Sequence, residues 1–220
     1  MKYLFVMIGF IFCLDNSLNQ DLLNSLKINS GWEKLKKIEN GTVIKTKKIK
    51  NMELSAIMVE REININPDRV QEILVDILNY NRVLKSSGSL KTTLFKKDEN
   101  LLDGYQYIES GVPLINDRKY CFRMNFSKLI NDNNTLMEWY LLNKNSEYKD
   151  FIDSNDKKAV YLDYGAGTWM IESVDNGSYI FTYRLFMDPG GSMPNFIVEK
   201  INEYSIYNIF NDVIIEAKSN

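Results

Sequence analysis

The chain has 220 residues, 27 Lys or Arg against 29 Asp or Glu, and 45% hydrophobic residues. That length supports one substantial core, and a formal charge of −2 argues against a nucleic-acid partner, which calls for a concentrated basic surface. There is no histidine, which removes Ser-His-Asp and Cys-His catalysis, His-ligated zinc and imidazole pH switching.

An apolar run over residues 3–14 follows Lys2 and ends at Asp15-Asn16. A short basic start and about 12 apolar residues suit a secretory signal peptide, and the run falls short of the about 20 residues that span a bilayer. The expectation is an exported protein, periplasmic or secreted, with residues 1–20 as the address and residues 21–220 as one domain. Cys13 follows the bulky Phe12, where lipid-modified cysteines have a small residue. Cys121 is then the lone cysteine of the domain, and an internal disulfide is excluded. Lys119 and Arg123 flank it at alternate positions and favour its thiolate, but without a histidine to act as base a structural role is expected.

Taken in chain order, Leu22, Leu23, Leu26, Trp32, Leu35 and Ile38 are spaced as a helical stripe over residues 20–38, interrupted at Gly31. After the turn dipeptide Asn40-Gly41, strands are predicted over 42–49 and 56–65, with Arg61 breaking the apolar face of the second. Asn66-Pro67-Asp68 opens a helix, with Val70, Ile73, Leu74, Ile77, Leu78 and Val83 as its buried stripe. It ends before Ser86-Ser87-Gly88. Period-two patterns then predict a hairpin, 91–97 and 105–110 about an Asp103-Gly104 turn, followed by a strand over 118–127. In that strand Tyr120, Phe122 and Met124 face one way, and Lys119, Cys121 and Arg123 the other. Asn131 to Asn134 mark a turn into a strand over 135–142. Strands over 158–174 and 178–187 follow, joined by Asp175-Asn176-Gly177. Ser192 and Pro194 open a final helix of nearly seven turns. No linker or repeat divides the chain. An antiparallel sheet needs its face covered, and a long helix with a wide apolar face can cover it. The fold class is α+β.

Two stretches resemble one family. Gly111-Val-Pro-Leu-Ile-Asn-Asp-Arg-Lys-Tyr120 resembles the P-x-P-x-x-x-R-D-[YF] strand of START domains, the lipid-transfer modules related to the steroidogenic acute regulatory protein. Gly167-Thr-Trp-Met-Ile-Glu172, with the run from Phe181 through Asp188-Pro189-Gly190-Gly191 to Pro194, resembles the segment before that family's last helix. Lys119 stands in place of an acidic residue, Ser173 in place of a common proline, and the second proline of the first motif is missing. In cholesterol-binding relatives an acid and an arginine pair inside the cavity; Tyr105 and Met124 hold those positions here, so sterol specificity is not implied. The resemblance implies a helix-grip fold, a curved antiparallel sheet around a long C-terminal helix. It also implies one lipid or similar hydrophobic molecule bound without catalysis, transient contact with a membrane surface, and a monomer. Residues 143–157 fall where the family has a mobile loop near the cavity mouth.

The candidate cavity residues are Tyr105, Tyr107, Tyr120, Phe122, Trp139, Trp169 and Tyr183 from strands, and Ile197, Ile201 and Tyr204 from the last helix. Tyr and Trp pair a large apolar area with one polar handle. Glu109 and Arg61 are candidate polar anchors. No motif points to a metal or another cofactor. The competing readings are a cyclase or hydratase on the same fold, with Glu109 or a tyrosine as its acid-base group, and a structural protein with a filled core.

Overall fold

The computed structural model describes residues 18–111, 115–126, 135–155, 158–174, 177–190 and 195–219, residues 195–197 by their backbone. The address segment up to residue 17, the Asn131–Asn134 turn, and Gly191, Ser192 and Pro194 lie outside the described residues.

The elements are helix α1 (residues 18–27), strands β1 (Glu33–Lys37), β2 (Val43–Lys48) and β3 (Ser55–Ile63), helices α2 (Pro67–Val75) and α3 (Tyr80–Val83), and strands β4 (Leu90–Lys97), β5 (Leu101–Ile108), β6 (Arg118–Asn125) and β7 (Thr135–Leu141). Helix α4 (Lys149–Ser154), strands β8 (Val160–Tyr161), β9 (Gly165–Ser173) and β10 (Tyr179–Met187), and helix α5 (Asn195–Lys218) complete the chain. The strands form one sheet of ten in the order β1-β2-β3-β10-β9-β7-β6-β5-β4, with β8 beside β6. Among the described residues all pairings are antiparallel except β6–β8. The α+β class with a long terminal helix on an antiparallel sheet is as expected from the sequence.

Several predicted boundaries change. The helical stripe over 20–38 divides: α1 ends at residue 27, and Glu33–Lys37 is an exposed edge strand. Asp103-Gly104 lies inside β5, and the turn comes at residues 98–100. A Cβ on Gly104 would come 2.7 Å from Phe122 and 2.8 Å from Ile77, so the glycine serves close packing within a strand. Helix α2 opens as predicted, with Asn66 accepting from the Asp68 amide at 2.9 Å. It stops at Val75, and short 3-10 turns follow, leaving Leu78 60% exposed instead of in the buried stripe.

The sheet has apolar side chains on both faces. The concave face, with α2 and α5, forms the main core, including Val59, Leu74, Phe122, Trp169, Phe181, Phe210 and Val213. The convex face carries two further clusters. Helix α1 lays Leu22, Leu23 and Leu26 against Ala56, Ala166 and Phe186; each buried leucine contributes about 1.5–3 kcal/mol. Arg184, 6% exposed, reaches the C-terminal end of α1 and donates to the Leu26 and Lys27 carbonyls at 2.8 and 2.9 Å, and to Asn29 at 2.6 Å. Asn19 donates to the Leu141 carbonyl at 2.8 Å and accepts from the Gly165 amide. Asn19, expected to be part of the address, thus packs and bonds against the domain.

Helix α4 and its flanks cover the other end of the convex face. Phe95, Tyr105, Tyr148 and Phe151 stack in a cluster with ring separations from 4.2 to 6.5 Å, beside Cys121, Leu142 and Ile152. Asp103, fully buried, accepts two bonds from Arg123 at 2.6 and 2.7 Å and one from Tyr148 at 2.7 Å. Lys119, which departs from the acidic residue of the family motif, donates to the Ile152 and Asn155 carbonyls at 2.8 and 2.7 Å and so fixes the end of α4. The described part of the segment, residues 143–155, therefore packs behind the sheet instead of at a cavity mouth. Its three apolar residues needed a partner, and the convex face of β5 and β6 supplies it.

Burial pushes the Cys121 thiol up to about 12 from an ordinary 9.0, outweighing the pull of Lys119. The cations beside it in sequence therefore do not make it a reactive thiolate. Cys121 should resist alkylation by iodoacetamide at pH 8 in the native protein and react in urea. Because the unfolded thiol ionises first, stability is full below pH 9 and should fall as the pH rises from about 9 toward 12. Replacing Arg184 by Met strips the α1 end of its cap inside the protein and should cost about 2–3 kcal/mol in urea unfolding, whereas the exposed Lys48→Ala should cost less than about 0.5 kcal/mol.

Candidate functional site

Strand pairing decides which side chains reach the space under α5. On β5 and β6, Gln106 lies opposite Tyr120, Gly104 opposite Phe122 and Leu102 opposite Met124. Met124 pairs with Trp139 on β7, Trp139 with Gly167 and Met137 with Trp169 on β9, and Trp169 with Tyr183 on β10. These residues share the concave face because side chains alternate along each strand. Helices α2 and α5 add Leu74, Ile209 and Val213, and Tyr80 and Leu84 come from the α3 region. Together they line a partly open cavity of about 80 Å3.

Aromatic stacking sets the wall of this space. Trp169 stacks on Tyr183 at 4.6 Å and 15°, and Phe210 of α5 stacks on the Trp169 ring at 5.4 Å and 3°. Tyr120 meets Phe122 edge-on at 6.1 Å. The Trp139 indole crosses Gly167 so closely that a Cβ there would lie 2.7 Å from its ring. Glycine at 167 is what lets the indole lie flat against the sheet.

The polar atoms in this wall are few and uncharged. Tyr80 donates to the Leu74 carbonyl and Tyr120 to the Gln106 carbonyl oxygen. The Trp139 side chain hydrogen-bonds Tyr183. Burial pushes all three phenols well above the ordinary tyrosine range, and they influence one another electrostatically.

Five of the candidate residues, Tyr120, Phe122, Trp139, Trp169 and Tyr183, line the cavity. Tyr105 and Tyr107 do not. Tyr105 pairs with Cys121 and Tyr107 with Lys119, so both stand on the convex face, where Tyr107 donates to Asp117. The three tyrosines of the β5–β6 pair look alike in sequence, and only the register separates them. Glu109 lies past the end of β5 at the surface, 3.0 Å from Lys91. That lysine holds its carboxyl below the usual range, the reverse of a cavity acid. Ile201 and Tyr204 are 41% and 69% exposed, because α5 turns its other side, Ile206, Phe210, Val213 and Ile214, to the sheet. The side chain of Ile197 lies outside the described residues. Arg61 is on the concave face but sits behind Phe210, 5.6 Å from its ring, and donates to Thr42 and Asn211 at 3.4 Å. The other lining residues, Gln106, Tyr80, Leu74, Leu84, Met124, Met137, Ile209 and Val213, were not among the candidates. Ile209 and Val213 were legible as a helical stripe; Gln106 carried no signal, being a polar residue inside a strand.

Replacing Gly167 by Ala forces the Trp139 indole off the sheet and should cost about 1–3 kcal/mol, with a shift in tryptophan emission reporting the displaced ring.

No protein-family model and no curated protein sequence matches the chain. Solved structures do. A STAR-related lipid transfer protein from Xanthomonas axonopodis superposes with a TM-score of 0.70 at 15% identity, covering 86% of this chain and 100% of that one. Human StAR-related lipid transfer protein 5 gives 0.71 at 9% identity, covering 93% and 95%. The Zhui aromatase/cyclase from a Streptomyces gives 0.52 at 13% identity, covering 74% and 93%. At these identities the likeness is one of architecture, and it agrees with the motifs at Arg118, Trp169 and Asp188-Pro189-Gly190: the chain has the START-like helix-grip fold.

Proposed function

We propose that the protein is a non-enzymatic lipid carrier that holds one hydrophobic molecule between the concave sheet and α5. The observation that carries this reading is the aromatic-walled, charge-free cavity at the place where the helix meets the sheet. The solved structures of similar fold described as lipid transfer proteins support it. The cavity of about 80 Å3 is smaller than the roughly 300–1,000 Å3 of a typical ligand site. Loading therefore requires α5 to move away from the sheet, which a membrane surface would favour. The carrier works as a monomer after export. Because Asn19 and Leu22 are built into the fold, removal of the address has to occur before residue 18, and the mass of the mature chain would show it.

The cyclase-like fold relative keeps an enzymatic reading in view, but its leading acid-base candidate, Glu109, is at the surface. The small cavity also suits a filled core. Two measurements separate these. Gently purified protein should release a lipid on organic extraction, read by mass spectrometry, and should move labelled lipid between vesicles. An empty protein that transfers nothing overturns the carrier reading. Val213→Trp, which fills the cavity from α5, should lower transfer at least about 10-fold while costing about 1–3 kcal/mol of stability and leaving the circular dichroism spectrum intact.

A further inference from the structure

We propose that this site takes an uncharged ligand with a single hydroxyl or carbonyl group, held by the hydroxyls of Tyr80, Tyr120 and Tyr183; the proposal rests on the carrier reading above. Among the described residues, the cavity lining contains no Asp, Glu, Lys or Arg. A carboxylate, phosphate or ammonium head placed there would lose its water and gain no counter-charge, the costliest form of burial. Charged groups on the elements around the wall are committed elsewhere. Asp76, which acts electrostatically on Tyr80, accepts from the Asn79 side chain at 2.7 Å. Arg61 is turned to Thr42, Asn211 and the Phe210 ring. Asp212 faces away, accepting from the Ser86 amide at 2.9 Å and its hydroxyl at 3.2 Å. Glu216 is paired with Arg82 at 2.8 Å.

The three phenols supply the complementary capacity. Tyr80 and Tyr120 have each given their proton away, to the Leu74 carbonyl and to Gln106, which leaves lone pairs that can accept. Tyr183 receives from Trp139, which leaves its proton to donate. A ligand hydroxyl both donates and accepts, so it can satisfy Tyr183 and a neighbouring phenol together; a carbonyl can take the Tyr183 proton alone. Burial keeps all three phenols protonated at neutral pH. The rest of the lining, Met124, Met137, Ile209 and Val213 among it, is apolar and fits a hydrocarbon body.

The test uses probes of one chain length and different heads: 1-dodecanol, dodecanoate and dodecylammonium at pH 8, where the last two are charged. Binding is followed by the emission of Trp139 and Trp169, which line the cavity. Dodecanol should bind at least about 10-fold tighter than either ion, given the cost of an unpaired buried charge. Tyr183→Phe should weaken dodecanol about 3–10-fold, the worth of one hydrogen bond, and leave the weak binding of the ions unchanged. A melting curve establishes that the variant is folded, and Tyr120→Phe serves as the second variant. Dodecanoate or dodecylammonium binding as tightly as dodecanol overturns the head-group assignment and leaves the carrier reading standing. Binding of dodecanol that is unchanged in both phenylalanine variants also overturns it. Failure of all three probes to bind, with no vesicle transfer, overturns the carrier reading itself.

Discussion

The stack of Phe210 on Trp169 on Tyr183 is the contact through which α5 and the centre of the sheet hold each other. Trp169 and Tyr183 are cross-strand partners at the middle of the β9–β10 pair, so their position is set by the sheet alone, and the helix adds the third ring. Everything else under α5 is arranged beside this stack. Trp139 lies flat only because Gly167 is bare, and Phe122 reaches inward only because Gly104 is bare. A cavity results where large rings on β6, β7, β9 and β10 keep the helix off the sheet without filling the space between them. Smaller aliphatic residues in the same places would let α5 settle and close it.

A sheet of ten strands also presents a second face, and taking that face out of water explains most of what lies outside the cavity. Helix α1 and the α4 segment each cover one end of it. Their polar ends are satisfied by residues from the sheet: Arg184 for α1 and Lys119 for α4. The residues that line the cavity on the concave side are left uncharged. Arg184 and Lys119, both nearly buried, stand on the convex side, as does the buried pair of Asp103 and Arg123. Among the strands, the ions with the deepest burial stand behind the sheet and the cavity phenols in front of it, with Arg61 as the partly buried cation on the front and Asp212 and Glu203 buried on α5.

The element order and class were legible because period-two runs and the Asn66-Pro67 helix start are local signals. The β6 alternation correctly separated Tyr120, Phe122 and Met124 from Cys121. What sequence could not supply was anything that depends on pairing. Tyr105 and Tyr107 are as aromatic as Tyr120, yet Gln106 is the residue that faces the cavity, and only the Gln106–Tyr120 register says so. Asp103-Gly104 has the composition of a turn but is held in a strand by the ion pair behind it and the Phe122 ring in front. Leu35 continues the spacing of a helix, yet the β1 backbone pairs with β2, and edge pairing outweighs a weak propensity. The resemblance put residues 143–157 near a cavity mouth, but Tyr148, Phe151 and Ile152 pack on the convex face, a partner that only the fold supplies.

The size of the cavity bears on how a carrier of this design would work. Lifting α5 in water exposes Ile209, Phe210 and Val213, at about 1.5–3 kcal/mol for each large apolar side chain, and breaks the ring stack besides. That cost keeps the helix down while nothing is there to replace the contacts. A bilayer surface or an incoming hydrocarbon restores the apolar surroundings, so opening becomes favourable where ligand is available and unfavourable elsewhere. The tethers lie along the whole helix. Toward its C-terminus α5 is held by Asp212 on Ser86 and Glu216 on Arg82. Toward its N-terminus Val198 is buried with the α1 leucines, Ser55 donates to Glu199 at 3.5 Å, Asn202 donates to the Met187 carbonyl and Glu203 pairs with Lys36. Opening at either end has to break apolar burial and polar contacts together, so the helix stays down until other apolar surroundings replace the sheet.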